Sequence, residues 1–158
     1  MPIYMKYDTI QGDATAEGHE KWIELNSFNW GVGRGISSPT GGSADRESSA
    51  PSVSEITCTK AQDVASTKLL SQALQGEGVV VEIDFCKTDK GKLETYLKYT
   101  LTNCMVSGLS NSSGGDRPQE TLSLNFTKVE YKLTTQTAAG ATGEPDTITY
   151  DLALAHVV

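Results

Sequence analysis

Two unusually long β-type runs, joined by a single turn, constrain this chain more than any other feature. Residues 93–109 contain no proline and a single late glycine at 108, and residues 119–136 contain neither. Strands average about 5–6 residues, so each run is roughly three times the usual length. Between them lies Ser112-Ser113-Gly114-Gly115-Asp116-Arg117-Pro118-Gln119-Glu120. Glycine there supplies positive φ and Pro118 blocks further pairing, which is hairpin-turn chemistry. A paired ribbon of that length suits walls, barrels and assemblies better than a small active site. In the second run Leu122, Leu124 and Phe126 share one parity, while Val129, Tyr131 and Leu133 share the other. That change of phase near Thr127 predicts a bulge or a strand passing from one sheet to another.

The remaining elements are shorter. Alternation predicts strands over residues 3–7, 21–32, 52–60, 79–86 and 147–157. In 21–32, Trp22, Phe28 and Trp30 fall on one parity and Ile23, Leu25, Ser27 and Asn29 on the other. In 79–86, Val79, Val81, Ile83 and Phe85 are expected inward, with Glu82 and Asp84 outward. Thr88-Asp89-Lys90-Gly91 reads as a hairpin turn. One helix is predicted over 64–75, with Asp63 or Ser66 as its cap, Gly76 at its end and an apolar stripe of Val64, Leu70, Ala73 and Leu74. The nineteen residues GRGISSPTGGSADRESSAP, 33–51, cannot form a core and read as a projecting arm. Seven strands and one helix in 158 residues predict a single domain, 1–158, of mainly β class. The expected architecture is a β-barrel of two antiparallel sheets with one flanking α-helix and a long extended loop.

Several functions are argued against. A net charge of −7 opposes binding driven by phosphate neutralisation, and opposes docking on an anionic membrane. No apolar stretch approaches the roughly 20 residues that span a bilayer. The first residues, MPIYMKYD, lack a basic segment followed by an apolar one, so the chain is expected to be made in the cytoplasm and to leave, if it leaves, without a cleaved signal peptide. Cys58, Cys86 and Cys104 sit inside predicted strands without any CxxC spacing and read as buried thiols. His19, between Glu17 and Glu20, reads as part of a solvated loop. Gly31-Val32-Gly33-Arg34-Gly35 fails as a dinucleotide loop because Ile36 stands where the third glycine would be. No serine occupies a GxSxG elbow. No catalytic residue, cofactor site or metal ligand is therefore expected.

The segments GHEKWIEL, FNWGVGRG, ITCTKAQDVAS and GGDRPQETLSLNFTKVEYK, in this order and spacing, resemble the hemolysin-coregulated protein (Hcp) family, the tube subunit of the bacterial type VI secretion system. The resemblance runs over nearly the whole chain, and the last segment weighs most. It implies a β-barrel with one flanking helix, a homohexameric ring, and stacking of rings into a hollow tube. It also implies three kinds of partner: a contractile sheath around the tube, a valine-glycine-repeat spike protein at its tip, and effector proteins as cargo. Two departures stand out: the charge at Asp45-Arg46-Glu47 in the arm, and the apolar terminal LALAHVV.

On this resemblance, Arg34, Ser38, Asp45, Arg46 and Glu47 in the arm and Gly114, Gly115, Asp116 and Arg117 in the turn are expected at contacts within and between rings. Ser27 and Asn29 are expected to face the channel, with Trp22, Phe28 and Trp30 turned toward packing. Alternation fixes relative faces but not which face is which, so the opposite assignment stays open. Two other readings compete: a phage-like tail tube protein, and a monomeric β-barrel that binds a small ligand.

Overall fold

The structure, a computed structural model, describes residues 1–37, 49–136 and 142–158. Among them the strands are β1 (Ile3–Tyr7), β2 (Ile23–Leu25), β3 (Ser27–Asn29), β4 (Val32–Gly33), β5 (Ser52–Val53) and β6 (Ile56–Ala61). The helix α1 (Ser66–Gln75) follows, then β7 (Val79–Asp89), β8 (Lys92–Ser112), β9 (Gln119–Asn125), β10 (Lys128–Gln136), β11 (Thr142–Asp151) and β12 (His156–Val157). Most of the strands beyond the expected seven are very short pieces into which longer predicted runs divide.

The 21-residue β8 organises the molecule. Its first part pairs with β7 and β10 in a sheet ordered β12-β11-β10-β8-β7-β1-β2. Its second part pairs with β9 in a sheet ordered β3-β6-β9-β8. The crossover falls at Asn103, whose φ of 54° is one that asparagine tolerates better than most residues. The phase change expected near Thr127 is the matching event on the partner side. β9 stays in the second sheet, β10 enters the first, and Thr127 between them donates its N–H to Thr102 O at 3.1 Å.

The predicted strand over 21–32 divides into β2, β3 and β4. Asn26 is the cause: its N–H leaves β1 and donates to Thr59 O of β6 at 2.7 Å. The parity flips there, so Ile23 and Leu25 are buried before it and Phe28 turns inward after it. Phe28 meets Phe85 edge-on at 5.0 Å and Tyr99 at 4.9 Å, and Tyr99 in turn meets Trp30 and Tyr131. Aromatic pairs of this kind contribute about 0.5–1.5 kcal/mol each beyond area burial, and here they join the two sheets. Trp22 lies elsewhere, packed with Tyr4, Ala14 and Cys86 on the far side of the first sheet. It does not share a face with Phe28 and Trp30.

The helix begins at Ser66, two residues later than its pattern suggested. Neither Asp63 nor Ser66 is the cap: that position is Ala65, without a side-chain cap bond, and the two residues instead brace the preceding turn, Ala65 N–H donating to Asp63 Oδ1 and Asp63 N–H to Ser66 Oγ, both at 3.0 Å. Ala65 and Leu69 are buried and Ala73 packs against the core, while Val64, Leu70 and Leu74 are exposed. The predicted stripe is therefore mostly the outer face. What draws the helix start onto the second sheet is Lys60, whose side chain is fully buried. Its Nζ lies 2.6 Å from Glu120 Oε1 and 2.9 Å from Asp63 Oδ1, and it also donates to Ala61 O and Ser66 Oγ. Lys60 and Glu120 are direct register partners of β6 and β9.

Two outcomes are expected. Lys60→Met leaves two carboxylates buried without their cation and costs about 3–5 kcal/mol in urea unfolding, and pairing it with Glu120→Leu recovers much of the loss. The second concerns Cys58, Cys86 and Cys104, all buried and free. Burial pushes the Cys58 and Cys104 thiols from 9.0 up to about 12. A thiol reagent at mildly alkaline pH should label no cysteine of the native protein and all three after denaturation. Because the unfolded thiols ionise first, stability falls as pH rises from 9 toward 12, which urea midpoints across that range would record.

Candidate functional site

Register builds a distinctive surface on the outer face of the second sheet. One row crosses four strands as Ser27, Thr59, Thr121 and Ser110, and the next as Asn29, Thr57, Ser123 and Gly108. Alternate residues of the same strands, Phe28, Cys58, Leu122 and Leu124 among them, turn into the core. Ser27 Oγ and Thr59 Oγ1 are hydrogen-bonded at 2.6 Å, and Asn26 Nδ2 donates to Gln119 Oε1 at 2.9 Å. Ser107 donates to the Glu55 carboxylate at one margin. The rows themselves carry hydroxyls and an amide and no formal charge, on a chain whose net charge is −7. Both predicted channel residues, Ser27 and Asn29, belong to these rows and are exposed.

The far side of the first sheet is covered by the segment between β1 and β2. His19, expected to be solvated, is only 6% exposed. Its ring stacks on Tyr4 at 4.9 Å and meets Trp22 edge-on at 4.6 Å. Its Nε2–H reaches Asp84 Oδ2 at 2.8 Å, where the carboxylate can only accept. Asp84, predicted outward, is on the outward parity but buried by this cover, with Thr95 also donating to it and Lys98 Nζ 3.6 Å from its other oxygen. The cover turns tightly at Gly12, where a Cβ would lie 2.5 Å from Trp22 O. Desolvation raises the nearby Cys86 thiol, which therefore behaves as a small apolar group rather than a nucleophile.

The predicted interface residues fall into separate places. Gly114, Gly115, Asp116 and Arg117 form an exposed tip, where Gly115 has φ 110° and Ser113 Oγ donates to Asp116 O at 2.8 Å. Arg117 lies 3.9 Å from Asp13 of the covering segment, an exposed pair that contributes little. Arg34 is exposed at the root of the arm, far in sequence from the tip. That root is a ribbon: β4 pairs with β5, Gly31 O accepts from Ser54 N–H, and Gly35 and Ser49 exchange hydrogen bonds. Ser38, Asp45, Arg46 and Glu47 lie outside the described residues.

Two apolar surfaces were not legible as sites. One is a cavity of about 170 Å³ beside the arm root, lined by Trp30, Val32, Val53, Tyr131, Ile148, Tyr150 and Val157 among others. Small-ligand sites usually run to about 300–1,000 Å³, so this volume does not favour the ligand-binding reading. The other is the exposed face of α1. Parity could have flagged the buried charges, since Lys60 follows Ile56 and Cys58, and Glu120 precedes Leu122 and Leu124, on the apolar parity of their strands. No comparable signal marks His19, whose partner lies 65 residues away.

The chain matches the family model described as "Type VI secretion system effector, Hcp" over residues 4–133. A solved type six secretion system protein is 30% identical, superposes with a TM-score of 0.90, and the match covers 99% of each chain. Hcp1 from Salmonella typhimurium is 23% identical with a TM-score of 0.76, over 99% of this chain and 98% of that one. A type VI secretion system effector from Yersinia pestis is 24% identical with a TM-score of 0.74, over 94% of this chain and 98% of that one. The last two likenesses bear on fold alone. No curated protein sequence matches.

Replacing His19 tests what holds the cover in place. His19→Ala removes the ring between Tyr4 and Trp22 and leaves Asp84 with a weaker set of partners, at a cost of about 1–3 kcal/mol. Hydrogen exchange at the Ala14 and Lys21 amides, which bond within the cover, should accelerate more than exchange in β9.

Proposed function

The chain belongs to the Hcp family of type VI secretion system proteins, and we propose that it is the subunit of a hexameric ring that stacks into a hollow secretion tube. Hcp proteins are oligomeric tube proteins, a structural rather than an enzyme family. The observation that carries the reading is the pair of uncharged rows across β3, β6, β9 and β8. Turned toward a channel, Ser27, Asn29 and their neighbours make a hydrated wall that neither attracts nor repels passing proteins by charge. Charged patches steer and select partners, and a conduit for varied cargo gains from lacking them.

In this arrangement residues 1–158 act as one unit, repeated around the ring through one pair of unlike surfaces until it closes. The tip residues Gly114, Gly115, Asp116 and Arg117 and the arm residues Arg34, Ser38, Asp45, Arg46 and Glu47 serve contacts within and between rings. A contractile sheath surrounds the tube, a valine-glycine-repeat spike protein tips it, and effector proteins travel inside. The protein is made and assembled in the cytoplasm and exported without a cleaved signal peptide. No helix of the described residues is long and apolar enough to cross a membrane.

Negative-stain images of purified protein should show rings with an open centre, and native mass spectrometry should give six subunits. Because the native thiols are buried, Asn29→Cys can carry a single biotin. That biotin should be hidden from streptavidin in assembled tubes and accessible after dissociation. Monomer alone at micromolar concentration and moderate salt would overturn the reading.

A further inference from the structure

We propose that Arg34 of one copy enters the groove over Glu120 of a second copy, joining the arm end of one ring to the tip end of the next. The inference rests on the ring reading and adds which residues meet between rings. The groove lies where the start of α1 faces the end of the β8–β9 hairpin. Its volume of about 240 Å³ is room for one long side chain. Leu70, Leu109 and Pro118 form apolar walls, and Gln62 and Asn111 bring amides. Glu120 also lines it and is only 4% exposed. The bonds from Lys60 and Ser66 both end on Glu120 Oε1, and Oε2 accepts none among the described residues. The carboxylate thus keeps an unused acceptor where the groove reaches it.

The balance of charge points to what the groove takes. Lys60 Nζ lies 2.6 Å from Glu120 and 2.9 Å from Asp63, two largely buried carboxylates. Among the described residues no second cation is within ion-pair distance of either, so one negative charge is in excess. Buried charges are ordinarily matched. A long cationic side chain supplies the match, with its stem along the apolar walls and its head at the carboxylate. A guanidinium suits the site best, because its planar fork can meet the carboxylate and an amide together.

The chain has three arginines. Arg117 lies beside Asp13 of its own chain, and Arg46 is outside the described residues. Arg34 is exposed and has no carboxylate partner among the described residues. Topology puts it and the groove at opposite ends of the second sheet. The arm leaves past Asn29, where Gly31 O accepts from Ser54 N–H. The groove is at the other end, where Ala61 pairs with Gln119 and Gln62 N–H donates to Pro118 O. The six residues of β6, about 20 Å, separate the two, too far for Arg34 to reach the groove of its own chain. Where these strands line a channel, their two ends look toward successive rings. A head-to-tail contact of unlike surfaces then repeats without closing, which is what turns rings into a tube.

Cysteine pairs test this, since the three native thiols are buried. Arg34→Cys and Asn111→Cys, both at exposed positions, are made singly and together in the full chain. The proposal expects no disulfide in either single variant and a dimer when the two are mixed and oxidised. The double variant should give a ladder that runs past the size of one ring. Separately, Arg34→Glu should leave rings intact and raise the concentration at which they stack about tenfold or more, with Arg34→Lys closer to the parent. A ladder that stops at one ring assigns the contact to neighbours within it and overturns the proposal, as does a dimer from either single variant. Rings that give no mixed dimer overturn it while leaving the ring reading intact. Monomers under all conditions overturn both.

Discussion

The fold depends on one strand belonging to two sheets. β8 gives its first part to β7 and β10 and its second to β9, and turns between them at Asn103. A strand shared in this way ties the two sheets together covalently and fixes the angle at which they meet. It also forces the partner run to divide, because a single straight strand cannot pair with both parts. β9 and β10 are the result, and Thr127 is where the ladder is handed over. The Phe28, Phe85, Tyr99, Trp30 and Tyr131 rings then fill the angle between the sheets.

That geometry sorts the molecule's surfaces by chemistry. The first sheet is covered on its far side by the segment pinned through His19 and Asp84, so this face is closed within one chain. Among the described residues the second sheet has no such cover. Its outer rows are hydroxyls and an amide, which remain comfortable in water and need no partner. The helix is held at the margin of this sheet by Lys60, set between Glu120 and Asp63. A buried lysine with two carboxylates is weak support for stability as such. Its value lies in position: Lys60, Asp63, Ser66 and Glu120 tie the start of α1 to β6 and β9.

The sequence made much of this visible for a physical reason. Long strands report their pairing even through a change of phase, so residues 93–109, the runs on either side of Thr127, and the Lys90–Gly91 turn, with φ 51° and 77°, are legible in the sequence. So is the burial of the three cysteines. Parity failed where the chain changes sheets within a few residues. At Asn26 the inward set switches from Ile23 and Leu25 to Phe28, and no local pattern announces a switch made by a bond to Thr59. His19 failed for a related reason. A polar segment looks solvated until the sheet beneath it presents Asp84 and Thr95, two side chains supplied by strands remote in sequence. The helix misled because Leu70 and Leu74 lie angularly close to the buried Leu69 and Ala73 on a short helix, and a stripe alone cannot say which side the chain's own core takes.

An acidic subunit that must pack against copies of itself faces a particular difficulty. At net charge −7 the copies repel, and the repulsion grows with every subunit added. Screening reduces this at physiological ionic strength, where the Debye length is about 8 Å, but does not abolish it for surfaces in contact. The attraction must come from elsewhere, and apolar burial is the term that salt does not screen away. The molecule keeps its charges off the hydroxyl rows and sets its acidic side chains Glu144 and Asp146 beside an apolar cavity rather than within it. Cohesion and charge are thus separated in space. Association can then be driven by shape and apolar area.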